Sequence, residues 1–396
     1  MRLMAYLAMG LVLVLASLAD AATYYVATTG NDTTGNGSIG TPWRTIQKAA
    51  NTVVAGDAVI VRGGTYAQYI TIAANGTAGN RITFQPYPGE TAIIDGSGTT
   101  APTSNTFLVK VEGDYITIKN FEVVNAAWMS IICWNTATQC IIDGNTVHHG
   151  YHAGIVFYQN TNNTAQNNHV YDMYDFNSGG GNGDCIDTSG NLTTSNHQFL
   201  NNVVHDCSDD GLDGWSSAGN TYIGNISYHN GYVPFTSTPA GNGNGYKLGG
   251  NGGGSHTLID NVAWGNRVRG FEDNGGPNNK LYNNTAINNG TVNYHFVASG
   301  AILTNNISYG PLGSAAGALT TNSWQLGISN PSFIQITDPT LSTFARLSAG
   351  SPAINVGANV GGSSHICVGA CDLGAFEYGE DSDPPAPPTG ITIVRR

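Results

Sequence analysis

Charge is what this chain has least of. Only 10% of its 396 residues are Asp, Glu, Lys or Arg, and just five are lysines. The balance is acidic, with a formal net charge of −12, which argues against a nucleic-acid partner. Cysteine is scarce too: six in a chain of this length cannot build a disulfide scaffold, and none has the paired CxxC spacing of a zinc site. Beyond the first twenty residues no apolar run approaches a membrane span. What the chain does have is 53 Gly, recurrent Asn and 40% hydrophobic residues arranged in short β-branched triplets, the composition of an ordered all-β protein.

The amino terminus reads as an address. Arg2 supplies a positive n-region, Leu11 to Leu15 an apolar run, and Ala19-Asp20-Ala21 a small-x-small cleavage pattern. Residues 1–21 are therefore expected to be an export leader, giving a secreted protein. At the other end, residues 379–396 (GEDSDPPAPPTGITIVRR) are Pro-rich and read as a linker or disordered tail.

Between these ends the chain repeats itself. An Asn followed by a β-rich triplet occurs at Asn120, Asn145, Asn168, Asn202, Asn225, Asn261, Asn284 and Asn306, with spacings of 25, 23, 34, 23, 36, 23 and 22. The two long intervals are one repeat of about 23 plus an insertion, and no helical period fits. Short strands separated by Asn/Gly turns at this period predict a solenoid with one rung per repeat, rungs stacking about 4.8 Å apart. The recurrent Asn suits a tight bend, because it tolerates the left-handed region and its amide can ladder between coils. Thr41 to Val54 is expected to form a short amphipathic helix, with Pro42 at its first position, covering the open first rung. Residues 22–378 are thus one expected β-helix domain. Of the cysteines, Cys367 with Cys371 and Cys133 with Cys140 are close enough in sequence to bridge, and Cys185 and Cys207 fall as neighbours on adjacent coils.

Stacking the rungs in register aligns Ile186, Leu212, Tyr246 and Phe271 as an inward apolar column. Side chains alternate along a strand, so the following residues, Asp187, Asp213, Lys247 and Glu272, form an outward column. A second polar column, three residues earlier, reads Asp184, Asp210, Asn244 and Arg269. Both insertions, near Tyr171 to Gly183 and Gly231 to Gly243, end at members of these columns, as loops that wall a cleft do. Asp184, Asp209, Asp210 and Asp213 crowd onto two rungs, and hard oxygen ligands of this kind suit Ca²⁺. Lys247 stands in an otherwise uncharged stretch, GNGNGYKLGGNGGG, whose glycines suggest the close approach of a ligand. A plain surface salt bridge to Asp213 or Glu272 is the bland alternative. Arg269 has the planar fork to hold a substrate carboxylate.

The segments SDDGLDGW, GNGNGYKLGG, His256 and NVAWGNRVRGFEDN (residues 261–274), in that order, resemble the family 9 polysaccharide lyases. The opening YYVATTGNDTTGNGSIGTPWRTIQKAANTVVAGDAVIVRGGTY is similar to that of many extracellular β-helices. The resemblance covers most of residues 23–378. It implies a right-handed parallel β-helix of about ten coils and a calcium-dependent pectate lyase. The metal ligands would be Asp184 (or Asp187), Asp209, Asp210 and Asp213, and Lys247 the general base. Arg269, Asn244 and Asn274 would contact the substrate, an acidic polysaccharide of the polygalacturonate type, with the protein a monomer. Leu212, Gly214 and Tyr246 depart from the family pattern without touching the metal set. Other readings on the same fold are a glycoside hydrolase using an Asp pair, a lyase for another uronan, and a non-catalytic carbohydrate-binding β-helix.

Overall fold

The computed structural model describes residues 21–97, 106–190, 195–360, 365, 367 and 369–379. The expected leader, apart from Ala21, and the tail beyond Gly379 lie outside them. Among the described residues three parallel sheets of 12, 10 and 10 strands run from Thr23 to Thr320, and in each sheet every strand pairs with that of the next rung. This is the right-handed parallel β-helix expected from the repeat.

The recurrent Asn divides its two expected roles between neighbouring residues. Asn145, Asn168, Asn202, Asn225, Asn261, Asn284 and Asn306 form a buried ladder. The Oδ1 of each rung accepts from the backbone N–H of the rung before, as in Asn202 N to Asn225 Oδ1 at 2.9 Å and Asn225 N to Asn261 Oδ1 at 3.0 Å. The left-handed bend falls one residue earlier, on Gly144, Asn167, Asn201, Gly224, Asp260, Asn283 and Asn305. Asn120 therefore belongs to the bend and not to the ladder: its φ is +61°, and Phe121 takes the ladder position opposite Asn145. The first interval of 25 counted from Asn120 joins these two positions, and the true rung is one residue shorter.

The N-terminal helix is shorter than expected. It spans Ile46–Ala50, with Thr45 as its N-cap accepting from Lys48 N at 3.1 Å. Asp32 receives the backbone N–H groups of Arg44 and Thr45, and Trp43 N bonds Tyr25 O, so Thr41 to Trp43 are held in extended chain. Ile46, Ala49 and Ala50 face the core. Among the described residues no helix is long and apolar enough to cross a membrane.

Two disulfides form. Cys185 bridges Cys207 across adjacent coils, and Cys367 bridges Cys371. Cys133 and Cys140, expected as a possible pair, stay unbridged inside the core.

The sheet that carries the chemistry keeps the register read from the sequence. Strand Ile186–Ser189 pairs with Leu212–Asp213, which pairs with Asn244–Lys247, which pairs with Arg269–Glu272. Ile186, Leu212, Tyr246 and Phe271 are buried in the core, and the Tyr246 and Phe271 rings stack at 4.7 Å. Their outward neighbours line up as Asp187, Asp213, Lys247, Glu272 and then His295.

Candidate active site

Outward on this sheet does not mean exposed. The side chain of Lys247 is 10% accessible, that of Asp213 6% and that of Asp210 nil. The two insertions fold over the flank where the rungs enter the sheet, against Ser208 and Asp209. Gly241 N bonds Gly179 O, tying one insertion to the other, and Arg267 anchors the second by donating to Gly241 O and to Asn242 O.

Beneath them the acidic residues meet. Oxygens of Asp184, Asp210 and Asp213 lie within 4.8 Å of one another. Asp184 Oδ1 accepts from Asp210 N at 3.0 Å, and Asp210 Oδ1 accepts from Asn244 N and Nδ2 at 2.7 and 2.8 Å. Asp187 and Asp209 fall outside this trio. The Asp209 carboxylate is held instead by the backbone and side-chain amides of Asn242. Lys247 Nζ donates to Asp213 Oδ2 at 2.8 Å and lies 3.1 Å from Asp210 Oδ2. It also stands 5.2 Å from the ring of Trp215. Of the two salt-bridge partners anticipated for it, Asp213 is used, whereas Glu272 pairs with Arg269 and His295.

Five carboxylates around one ammonium leave this region over-acidic. Burial, followed by the repulsion of Asp209, Asp213, Asp210 and Asp187, pushes Asp184 well above the usual carboxylate range. Burial and then Asp213 do the same to Asp187. Burial and then Asp210 bring Asp209 up to about 8. Asp213 is raised to about 6 by burial, with Lys247 opposing the rise. For Lys247 burial favours the neutral amine, but Asp213, Asp210 and Asp184 outweigh it and hold the ammonium. Asp213 Oδ1 and Asn244 Oδ1 are buried with no hydrogen-bond donor. Clustered hard oxygens, some lacking any donor, fit a divalent cation such as Ca²⁺ and offer no soft ligand for zinc or copper.

An open cleft of about 280 Å³ lies beside the cluster, lined by Lys247, Asn244, Arg269, Asn274, Glu272, Asn242, Val268 and Trp215. Every residue expected to contact substrate borders it. The guanidinium of Arg269 is engaged by Glu272 on its own strand. Asn274 N bonds Glu272 Oε1 at 2.7 Å, and Asn274 Nδ2 donates to Gly249 O at 3.2 Å.

The protein-family comparison matches residues 24–306 to the Pel9A-like right-handed β-helix region. The chain belongs to the Pel9A-like family. The family resemblance drawn from the SDDGLDGW and GNGNGYKLGG segments is thereby borne out. Pectate lyase L of Dickeya dadantii (strain 3937) is 30% identical over 393 residues, covering 89% of this chain and 90% of that protein. Pectate lyase PEL9 of Emericella nidulans is 29% identical, covering 73% and 78%. The crystal structure of pectate lyase Pel9A superposes with a TM-score of 0.81 at 26% identity, covering 91% of this chain and 97% of that one.

Within this Pel9A-like site two features escaped the sequence. Trp215 sits in SDDGLDGW, directly after the Asp cluster, yet nothing in the repeat marked it. It is 42% exposed at the rim of the cleft, with its ring toward Lys247. The glycines around Lys247 also serve a different purpose from the one expected. A Cβ on Gly245 would meet Asn266 Nδ2 and Gly270 O at 2.7 Å, and one on Gly250 would meet the Trp215 ring at 2.3 Å. They make room for neighbouring rungs and for Trp215.

Proposed function

We propose that this protein is an exported, calcium-dependent pectate lyase that cleaves polygalacturonate by β-elimination, with Lys247 as general base. The observation that carries the reading is the meeting of Lys247 with Asp213 and Asp210, at 2.8 and 3.1 Å, on the wall of a cleft bordered by the expected substrate residues Arg269, Asn244 and Asn274. The named pectate lyases among the relatives support the substrate class. Residues 1–21 are read as the export leader, 22–378 as one catalytic unit and 379–396 as a tail.

Asp184, Asp210 and Asp213, with Asp209 beside them, would hold the Ca²⁺. When bound, such an ion neutralises the substrate carboxylate and so acidifies the proton at C5. The chain's own residues do the rest. Asn244 and Asn274 offer amides to the sugar, and Arg269 faces it from the same strand edge. Trp215 supplies a ring at the rim against which a sugar can rest. Lys247, once its carboxylate partners are engaged elsewhere, is free to lose its proton and to take that of C5. The C4 oxygen then departs, leaving a 4,5-unsaturated sugar.

Incubation with polygalacturonate, first with Ca²⁺ and then with EDTA, tests this directly. Elimination gives a conjugated product that absorbs in the ultraviolet, and hydrolysis does not. New reducing ends without that absorbance would move the assignment to a hydrolase, and no cleavage at all would leave a binding protein.

A further inference from the structure

A second cleft lies on the same flank of the β-helix as the site above, several rungs toward the amino terminus. It is open, with a volume of about 440 Å³. Its lining residues lie at or just beyond the ends of strands of the neighbouring sheet, where the chain crosses toward the catalytic sheet. Asn125 to Ala127 lead into Met129–Trp134, Gly150 and Tyr151 into Ile155–Tyr158, and Tyr174 and Phe176 into Ile186–Ser189. Asp184 lies on the rung of Tyr174 and Phe176, and Asp210 and Asn242 occupy the corresponding flank of the next two rungs. From the rung of Tyr174 to that of Lys247 is two steps, and from Asn125 four, roughly 10 to 20 Å along the axis. A polymer lying along this flank spans both clefts.

One insertion shapes both. Residues 171–183 begin at the second cleft, where Asp175 caps the turn Phe176–Ser178 and accepts from Asn182 Nδ2 at 2.6 Å, and they end one residue before Asp184. Phe176 is held out on this turn, 54% exposed, with its ring 4.8 Å from that of Tyr151 and 6.1 Å from that of Tyr174. Three aromatic rings around an open cleft form an apolar, ring-faced surface of the kind that ligand sites use.

The charge of this cleft is opposite to what a uronate needs. Among the described residues its lining carries no Lys or Arg. Its charged groups are Asp172 and His149, whose Oδ2 and Nε2 lie 3.1 Å apart. With His149 neutral the cleft is negative, and with His149 protonated the pair cancels. Neither state attracts a carboxylate, in contrast to the cleft that holds Lys247 and Arg269.

We propose that this second cleft binds an uncharged sugar unit, such as a methyl-esterified uronate, on the same polymer chain whose free uronate reaches Lys247. The identity of the polymer rests on the lyase reading; the preference for an uncharged unit rests on the cleft alone. The protein would thus favour chains in which charged and uncharged units alternate in blocks.

Calorimetric titration of the full chain in EDTA, which silences the calcium site, tests this. The ligands are a methyl-esterified oligogalacturonate, a neutral galactan oligomer and the unesterified oligogalacturonate. The expected result is tighter binding of one or both uncharged oligomers than of the charged one, and the pair shows which the cleft takes. Phe176→Ala should weaken that binding roughly three- to tenfold, and Phe176→Trp should restore it. Equal or tighter binding of the charged oligomer, no binding of either uncharged one, or indifference to Phe176→Ala overturns the proposal. Absence of the unsaturated product in the cleavage assay would overturn the lyase reading instead and leave this titration standing.

Discussion

Lys247 sits directly across from Asp213 on the neighbouring rung, and its Nζ donates to Asp213 Oδ2 at 2.8 Å. Thirty-four residues separate them in the chain, yet strand pairing makes them nearest neighbours. This contact, together with Asp210 and Asp184, favours the charged form of Lys247, which borders the cleft.

Replacing that lysine should silence turnover without unfolding the molecule. Lys247→Ala is expected to lower kcat by roughly 10² to 10⁴ on polygalacturonate, the usual worth of a positioned base. Circular dichroism should show an unchanged β-helix. A variant that retains most of its turnover would remove Lys247 from the mechanism. Because Asp213, Asp210 and Asp184 outweigh burial and hold the ammonium, the base form gains as pH rises. Activity should therefore climb toward alkaline pH, and an optimum on the acid side of neutral would contradict the assignment.

Calcium should stabilise the fold as well as support the reaction. Binding to the native state alone adds about 2.7 kcal/mol at a hundredfold excess over Kd. The unfolding midpoint should rise on adding Ca²⁺ and fall back with EDTA. Asp210→Asn should abolish most of that shift, since Asp210 has an oxygen in the buried trio. A midpoint indifferent to Ca²⁺ in the parent protein would argue that the carboxylates hold no ion.

A different group governs alkaline stability. His365 binds Asp260 Oδ1 and Glu377 Oε1, each at 2.7 Å, and so fastens the C-terminal segment to a corner of the coil. Burial disfavours its charge, but both carboxylates favour it more strongly, bringing its pKa from 6.5 to about 10. A folded pKa above the unfolded one means that the stabilisation is full below about pH 6.5 and disappears as pH climbs through about 10. The gap in unfolding midpoint between the parent and His365→Asn should accordingly be widest in mild acid and close on the alkaline side. A gap that widened with pH would reverse the sign and refute the ion-pair account.

The ladder and the bend should respond differently to mutation. Asn225 Oδ1 accepts from Asn202 N and Nδ2, both at 2.9 Å, in the buried interior. Asn225→Ala strands those donors, at about 1–3 kcal/mol for each buried group. Asn201, one residue before the ladder at φ +55°, needs only tolerance of the left-handed region. Asn201→Gly should be nearly neutral in chemical denaturation, whereas Asn201→Ala should cost about 1–2 kcal/mol. Equal losses at the two positions would mean that the two roles are not separate.

Much of this was written in the chain. A period of about 23 with β-rich triplets determines a coil, because every rung must bury the same face against its neighbours. Strict alternation then determines the columns, so the sequence alone puts Asp187, Asp213, Lys247 and Glu272 in register, as strand pairing does. The tertiary structure decided how deeply Lys247 is covered, since that depends on what packs against the sheet and not on any period. It decided that Asp209 turns to Asn242 while Asp184 joins Asp210 and Asp213. It set Trp215 at the rim, left Cys133 and Cys140 unbridged, started the helix at Ile46 and moved Asn120 from ladder to bend. Periodicity dictates the direction in which a side chain leaves the sheet. What it meets there is set by residues far away in the chain, and only packing brings those into reach.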